Sequence, residues 1–128
     1  MTTRRKHIGA WGERYAADFL MRQGYNILYT NVFLRIGEID IVAESPDGAV
    51  TFLEVKTRVD ASPGEAERAI DFRKVRRLYR ASKLFCLQKH INLNYTSINF
   101  EYITIYFNSL SQRAKLKKYS IPMDYGYI

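Results

Sequence analysis

At 128 residues, 47% of them hydrophobic, the chain has the size of one ordinary domain and can bury a real core, which excludes a disordered tail. Its balance is basic, 20 Lys and Arg against 13 Asp and Glu for a formal charge of +7, and points to an anionic partner such as nucleic acid, a ribosome or an acidic membrane surface. The single cysteine, Cys86, excludes an internal disulfide framework and a thiolate-rich zinc site.

A single domain over residues 1–128 is expected. No run approaches about 18 consecutive apolar residues, so no membrane span is expected, and the expected partner is nucleic acid with no membrane. The basic start MTTRRKH leads into IGAWGERYAADF, which carries charges where a secretion signal has an apolar stretch, so a cytoplasmic protein is expected.

In chain order, Ile8 to Gln23 reads as an amphipathic helix, with Ile8, Trp11, Tyr15, Phe19 and Leu20 at helical spacing and Gly24 as its stop signal. Tyr25–Asn31 reads as a strand, and VFLRIG as either a bend or the tail of that strand. Glu38–Glu44 and Ala49–Thr57 are the next two strands. SPDGA between them fits a type I turn closed by Gly48 in the left-handed conformation, a three-residue hairpin loop.

After a loop with Pro63 and Gly64 comes a short helical turn near Glu65–Ile70. Asp71 then caps a longer helix over Phe72–Gln88. Ile98–Phe107 is a further strand, KLKKYSI reads as another, and a tyrosine-rich tail ends the chain. The order predicts an α/β fold with a mixed sheet, because a hairpin is antiparallel whereas a helix links strands across the sheet.

The hairpin poses a chemical problem. Alternation places Glu38, Asp40 and Val42 on one face, and Val50, Phe52, Glu54 and Lys56 on one face of its partner. If Ser45 closes the loop against Ala49, Asp40 falls opposite Glu54 and Glu38 opposite Lys56. Two ionised carboxylates about 5 Å apart repel by about 3 kcal/mol even at an effective dielectric of 20. A divalent cation such as Mg²⁺ removes that defect, and Lys56 beside it would orient a bound water or stabilise developing negative charge. The competing reading is a solvent-facing sheet surface with Glu38–Lys56 as an ordinary ion pair. The apolar residues Ile39, Ile41, Leu53 and Val55 on the other face, and Val42, Val50 and Phe52 among the charges, favour a covered site.

Asp, about a dozen residues, then Glu-x-Lys across a hairpin resembles the PD-(D/E)XK nuclease superfamily, the restriction-endonuclease-like fold. GERYAADFLMRQGYNIL, RIGEIDIVA, FLEVKTR and RKVRRL resemble more closely still the YraN-like family of bacterial proteins, from about Gly9 to about Phe107. Archaeal Holliday-junction resolvases share a similar core. The resemblance implies a restriction-endonuclease-like core, a central mixed sheet with an antiparallel hairpin flanked by helices. It also implies a metal-dependent endonuclease hydrolysing phosphodiester bonds of DNA, branched DNA included, with Mg²⁺ or Mn²⁺.

By the same resemblance Asp40 and Glu54 are metal ligands, Lys56 the catalytic lysine, Glu13 a further metal or water contact, and Glu38 a support that pairs Lys56. Glu13 reads equally as an exposed first-turn glutamate favoured by the helix dipole, and Glu38 as a structural ion-pair member. Ile39 replaces the proline of the superfamily's name, and Asn99 stands where relatives tend to carry arginine. A resolvase-like role favours a two-fold homodimer.

Arg73, Lys74, Arg76, Arg77, Arg80 and Lys83 make the Phe72–Gln88 helix the main candidate for holding phosphates, although a solvated outer face gives the same pattern. RRKH and RAKLKK add to the basic surface. His7 and His90 read as surface residues, and Cys86 and Trp11 as packed ones. Two other functions remain open: a non-catalytic nucleic-acid-binding module of the same fold, and a subunit whose basic helix meets an acidic protein.

Overall fold

The computed structural model describes residues 3–122. The first helix, α1, spans Thr3–Arg22 and is followed by strands β1 (Asn26–Leu34), β2 (Gly37–Glu44) and β3 (Val50–Val59). Helices α2 (Glu65–Arg68) and α3 (Phe72–Gln88) precede strands β4 (Ile98–Asn108) and β5 (Arg113–Ser120). Among the described residues the strands form one sheet in the order β1-β2-β3-β4-β5. Every neighbouring pair is antiparallel except β3 and β4, which run parallel because α3 carries the chain back across the sheet. This is a mixed α/β sheet with helices on both faces, a restriction-endonuclease-like core.

Each face has its own apolar layer. On one, Ala16 and Leu20 of α1 pack on Ile41, Ala43, Leu53, Val55, Ile103 and Ile105. On the other, Val75, Leu78, Tyr79, Ala81, Phe85 and Cys86 of α3 pack on Ile39, Val42, Phe52 and Phe100. Phe52 and Phe100 stack at 5.7 Å, and Tyr79 meets Phe100 edge-on at 4.3 Å. Trp11 belongs to the α1 layer and meets Phe107 edge-on at 5.5 Å, and Cys86 is buried, both as their patterns predict. α1 lies so close to β3 that a Cβ on Gly12 would stand 1.9 Å from Thr57 Oγ1.

α2 is held by one carboxylate. Glu67 accepts hydrogen bonds from Thr104 Oγ1 at 2.8 Å, Tyr119 OH at 2.9 Å and Tyr106 OH. Burial pushes its pKa up, but the hydrogen bonds from Tyr106 and Thr104 outweigh burial and hold the carboxyl at about 2.

The β2–β3 loop has the expected geometry. Ser45 N donates to Ala49 O and Gly48 N to Ser45 O, both at 2.8 Å, with Gly48 at φ 91°. Asp71 caps α3 by accepting from Lys74 N at 3.0 Å.

Two expectations need correction, and one open alternative is decided. α1 begins at Thr3, five residues before Ile8, so RRKH is helical. VFL continues β1, which runs to Leu34. The β2–β3 register follows the expected ladder through Glu44↔Val50, Ala43↔Thr51, Val42↔Phe52 and Ile41↔Leu53, and stops there. Asp40↔Glu54 and Glu38↔Lys56 are therefore not ladder pairs.

The reason is a turn-over in β2. Ile39 packs in the α3 layer and Ile41 in the α1 layer, whereas residues two apart on a regular strand share a face. Asn31, the β1 residue facing this step between the pairs Val32↔Ile39 and Thr30↔Ile41, has φ 53°, so both strands turn over together. Val42 thus leaves the face that carries Glu38 and Asp40. The tyrosine-rich tail lies outside the described residues. No helix among those described is long and apolar enough to cross a membrane.

Candidate active site

Where β2 and β3 part, β3 continues alone on that side from Val55 to Val59, and a cleft of about 760 Å³ opens between α1 and α3. Asp40 takes over one lost ladder bond: its Oδ2 accepts from Val55 N at 2.8 Å. The carboxylates of Glu13, Glu38 and Asp40 offer one oxygen each, all within 4.8 Å of one another. Glu13 arrives from α1 on the helical face that also brings Arg5 and Gly9 to the cleft wall, four residues apart along the helix. The side chain of Asn31 hydrogen-bonds Glu13, which gives its left-handed backbone a use.

The electrostatics show the cost of this convergence. Burial, followed by repulsion from Glu13, Glu54 and Glu38, pushes the Asp40 pKa up to about 7 against the pull of the Val55 N–H. Burial and then Glu38 raise Glu13, although Asn31 and Lys56 oppose them. Burial also raises Glu38, with Lys56 pulling it down and Glu54 pushing it up.

The chain satisfies another buried carboxylate directly. Glu101 accepts from Tyr25 OH and Lys118 Nζ, each at 2.9 Å. At Glu13, Glu38 and Asp40 carboxylates instead meet carboxylates. An all-oxygen set of three carboxylates, with room left for water, fits a hard divalent cation of the Mg²⁺ or Mn²⁺ kind.

Facing these acids is a cationic wall. Lys56 Nζ pairs with Glu54 Oε1 at 3.2 Å, and not with Glu38 as the ladder would require. Glu54 is accordingly outside the converging trio, though its charge reaches Asp40. Lys74 lies beside Lys56; burial and then the Lys56 charge lower its pKa. Lys74 and Arg77, one turn apart on α3, both line the cleft. The other candidate phosphate-holding residues do not: Arg76 lies 4.8 Å over the Phe72 ring, while Arg73, Arg80 and Lys83 are exposed outside the cleft wall. His7 and His90 are exposed, and Asn99 pairs with Thr51 away from the cleft.

Sequence reading missed Asn31 and Arg5. Asn in a β-rich run is a signal for left-handed backbone, and the spacing of Arg5, Gly9 and Glu13 becomes visible once α1 is extended to Thr3.

A model of the uncharacterised protein family UPF0102 matches residues 12–105, which hold Glu13, Asn31, Glu38, Asp40, Glu54, Lys56, Lys74 and Arg77. The chain belongs to the UPF0102 family. A UPF0102 protein of Clostridium botulinum (strain 657 / Type Ba4) is 37% identical over 112 residues, 88% of this chain and 89% of that one. Another, of Desulforamulus reducens, is 34% identical over 117 residues, 91% of this chain and 95% of that one. The likeness to UPF0102 relatives therefore runs across nearly the whole fold, on both sides of the β2–β3 break.

Proposed function

We propose that the protein is a divalent-metal-dependent nuclease that hydrolyses phosphodiester bonds of DNA, branched DNA included. One observation carries the reading: three carboxylates that converge within 4.8 Å of one another share a single cleft with Lys56, Lys74 and Arg77. A phosphodiester needs both halves of that arrangement. Its anionic oxygens need cations, and its hydrolysis needs a water made nucleophilic at neutral pH.

Glu13, Glu38 and Asp40 would hold the ion, and an ion there supplies a bound water of lowered pKa and neutralises the phosphate. Asn31 and the Val55 N–H orient the Glu13 and Asp40 carboxylates, so that their geometry does not depend on the ion. Lys56, steadied by Glu54, lies between the acidic trio and Lys74 and would hold the attacking water or a phosphate oxygen. Lys74 and Arg77 bring further positive charge to the substrate backbone, without sequence choice.

The test is cleavage of a labelled panel of duplex, single strand, flap, four-way junction and RNA with Mg²⁺ or Mn²⁺. Cleavage of DNA by the wild-type protein is expected, and its loss in Asp40→Asn and Lys56→Ala. Cleavage persisting in purified Asp40→Asn protein would refute the assignment. Salt-dependent binding with no product from the wild-type protein would leave a binding module.

A further inference from the structure

Phe33 is 75% exposed, the most exposed large apolar side chain in any helix or strand among the described residues. Its neighbours Val32 and Leu34 both turn inward and pack against the α3 layer. Its cross-strand partner is Glu38, so the two side chains leave the sheet on the same face with Cβ atoms about 4.5–5.5 Å apart. The phenyl ring therefore leaves the sheet on the same face as Glu38, one of the three converging carboxylates and a residue of the cleft lining. Arg35, exposed, and Ile36, 37% exposed, form the turn that follows.

An exposed ring next to a cleft that holds cations as well as the acidic trio asks for a ligand with two properties at once. It must carry an anion for Lys56, Lys74 and Arg77, and a flat apolar face for Phe33, joined by a short linker. A nucleotide has that composition, with phosphate and base joined through one sugar. In an intact duplex each base face is covered by the next base pair, so a side chain meets one only where the stack is open.

Resting on the nuclease reading above, we propose that Phe33 stacks on an unpaired base adjoining the scissile phosphate. The substrate class is thus nucleic acid with unstacked bases beside the cut, such as a single strand, flap or open junction, and not continuous duplex. Phe33 acts as a specificity-determining contact, outside the hydrolytic machinery.

Binding without cleavage tests this, using the full chain with Ca²⁺ in place of Mg²⁺ and labelled duplex, single-stranded and four-way-junction DNA. Phe33→Ala is expected to weaken single-strand and junction binding by roughly tenfold to a hundredfold, the range of one base–aromatic stack, and to leave duplex binding unchanged. Phe33→Trp should retain binding. Its added indole emission should be quenched by single strand but not by duplex, measured against wild-type protein, whose one tryptophan is Trp11.

Equal binding of Phe33→Ala and wild type to every substrate, or an unquenched Trp at this position, would overturn the proposal. So would a change of oligomeric state in Phe33→Ala, which would make the ring a contact between copies of the chain. Quenching by a wild-type-like binder that cleaves nothing under Mg²⁺ or Mn²⁺ would uphold the stacking and reject the nuclease reading alone.

Discussion

Replacing Asp40 by asparagine should stabilise the metal-free protein above neutral pH, although it removes a buried, hydrogen-bonded side chain. Burial and the charges of Glu13, Glu54 and Glu38 lift its pKa from 3.8 to about 7. A pKa higher in the folded than in the unfolded chain means that the fold holds the proton more tightly. Below 3.8 the carboxyl is protonated in both states and costs nothing; from 3.8 to about 7 the unfolded chain ionises first, and above 7 the whole penalty is felt. At 1.36 kcal/mol per pH unit, that gap corresponds to about 4 kcal/mol of stability lost as pH rises.

Asparagine keeps an oxygen for the Val55 N–H and carries no charge, so its protein escapes this penalty. For a chain of this length about 3–5 °C in Tm accompanies each kcal/mol, so the variant should melt roughly 10 °C or more above wild type near pH 8 in EDTA, and close to wild type near pH 4. Thermal unfolding followed by circular dichroism across that range measures both. Mg²⁺ or Mn²⁺ should raise the wild-type Tm near pH 8, do so less as pH falls and the trio protonates, and leave Asp40→Asn unmoved. An Asp40→Asn protein melting at or below wild type in EDTA near pH 8 would refute the reasoning, because the converging charges would then carry no strain.

Gly12→Ala should lower the urea midpoint by an amount equivalent to about 1–3 kcal/mol, since its methyl would collide with Thr57 Oγ1, and should weaken Mn²⁺ binding by displacing the adjacent Glu13. Lys74→Ala should weaken nucleic-acid binding and reduce the slope of log affinity against log salt by about 1, as loss of one phosphate contact does, whereas Lys83→Ala on the outer face of α3 should change neither.

What could be read from the residues and what could not divides along physical lines. Local chemistry was legible: SPDGA set the hairpin register down to Ile41↔Leu53, and Asp71 marked the start of α3. The turn-over at Asp40 was not. In IDIVA the apolar residues at 39, 41, 42 and 43 suit a strand buried on both faces, and such a run does not reveal where alternation slips. The trio was consequently misplaced in part, with Glu54 expected opposite Asp40 and Glu38 paired to Lys56. The start of α1 was hidden for a different reason. Thr3 to His7 is polar and exposed throughout, so it has no apolar period, and only the helical face shared by Arg5, Gly9 and Glu13 gives it a role.

That slip in alternation is what makes a site possible. Had β2 continued its pleat, Asp40 and Glu54 would face each other on the side covered by α3, with Lys56 facing Glu38 and no opening between the strands. Turning over at Asn31 and Asp40 sends Glu38 and Asp40 toward α1, where Glu13 meets them, while Glu54 and Lys56 stay on the side of α3, where Lys74 and Arg77 meet them. One backbone irregularity thus sorts the charges into an acidic wall and a basic wall and opens the cleft that separates them. The acidic wall strains the fold through Asp40, and Lys74 beside Lys56 strains it on the basic wall. In the proposed reading, a divalent cation would relieve the first and a phosphodiester the second. The fold therefore gathers charge of both signs into one cleft, and the proposed hydrolysis rests on that juxtaposition.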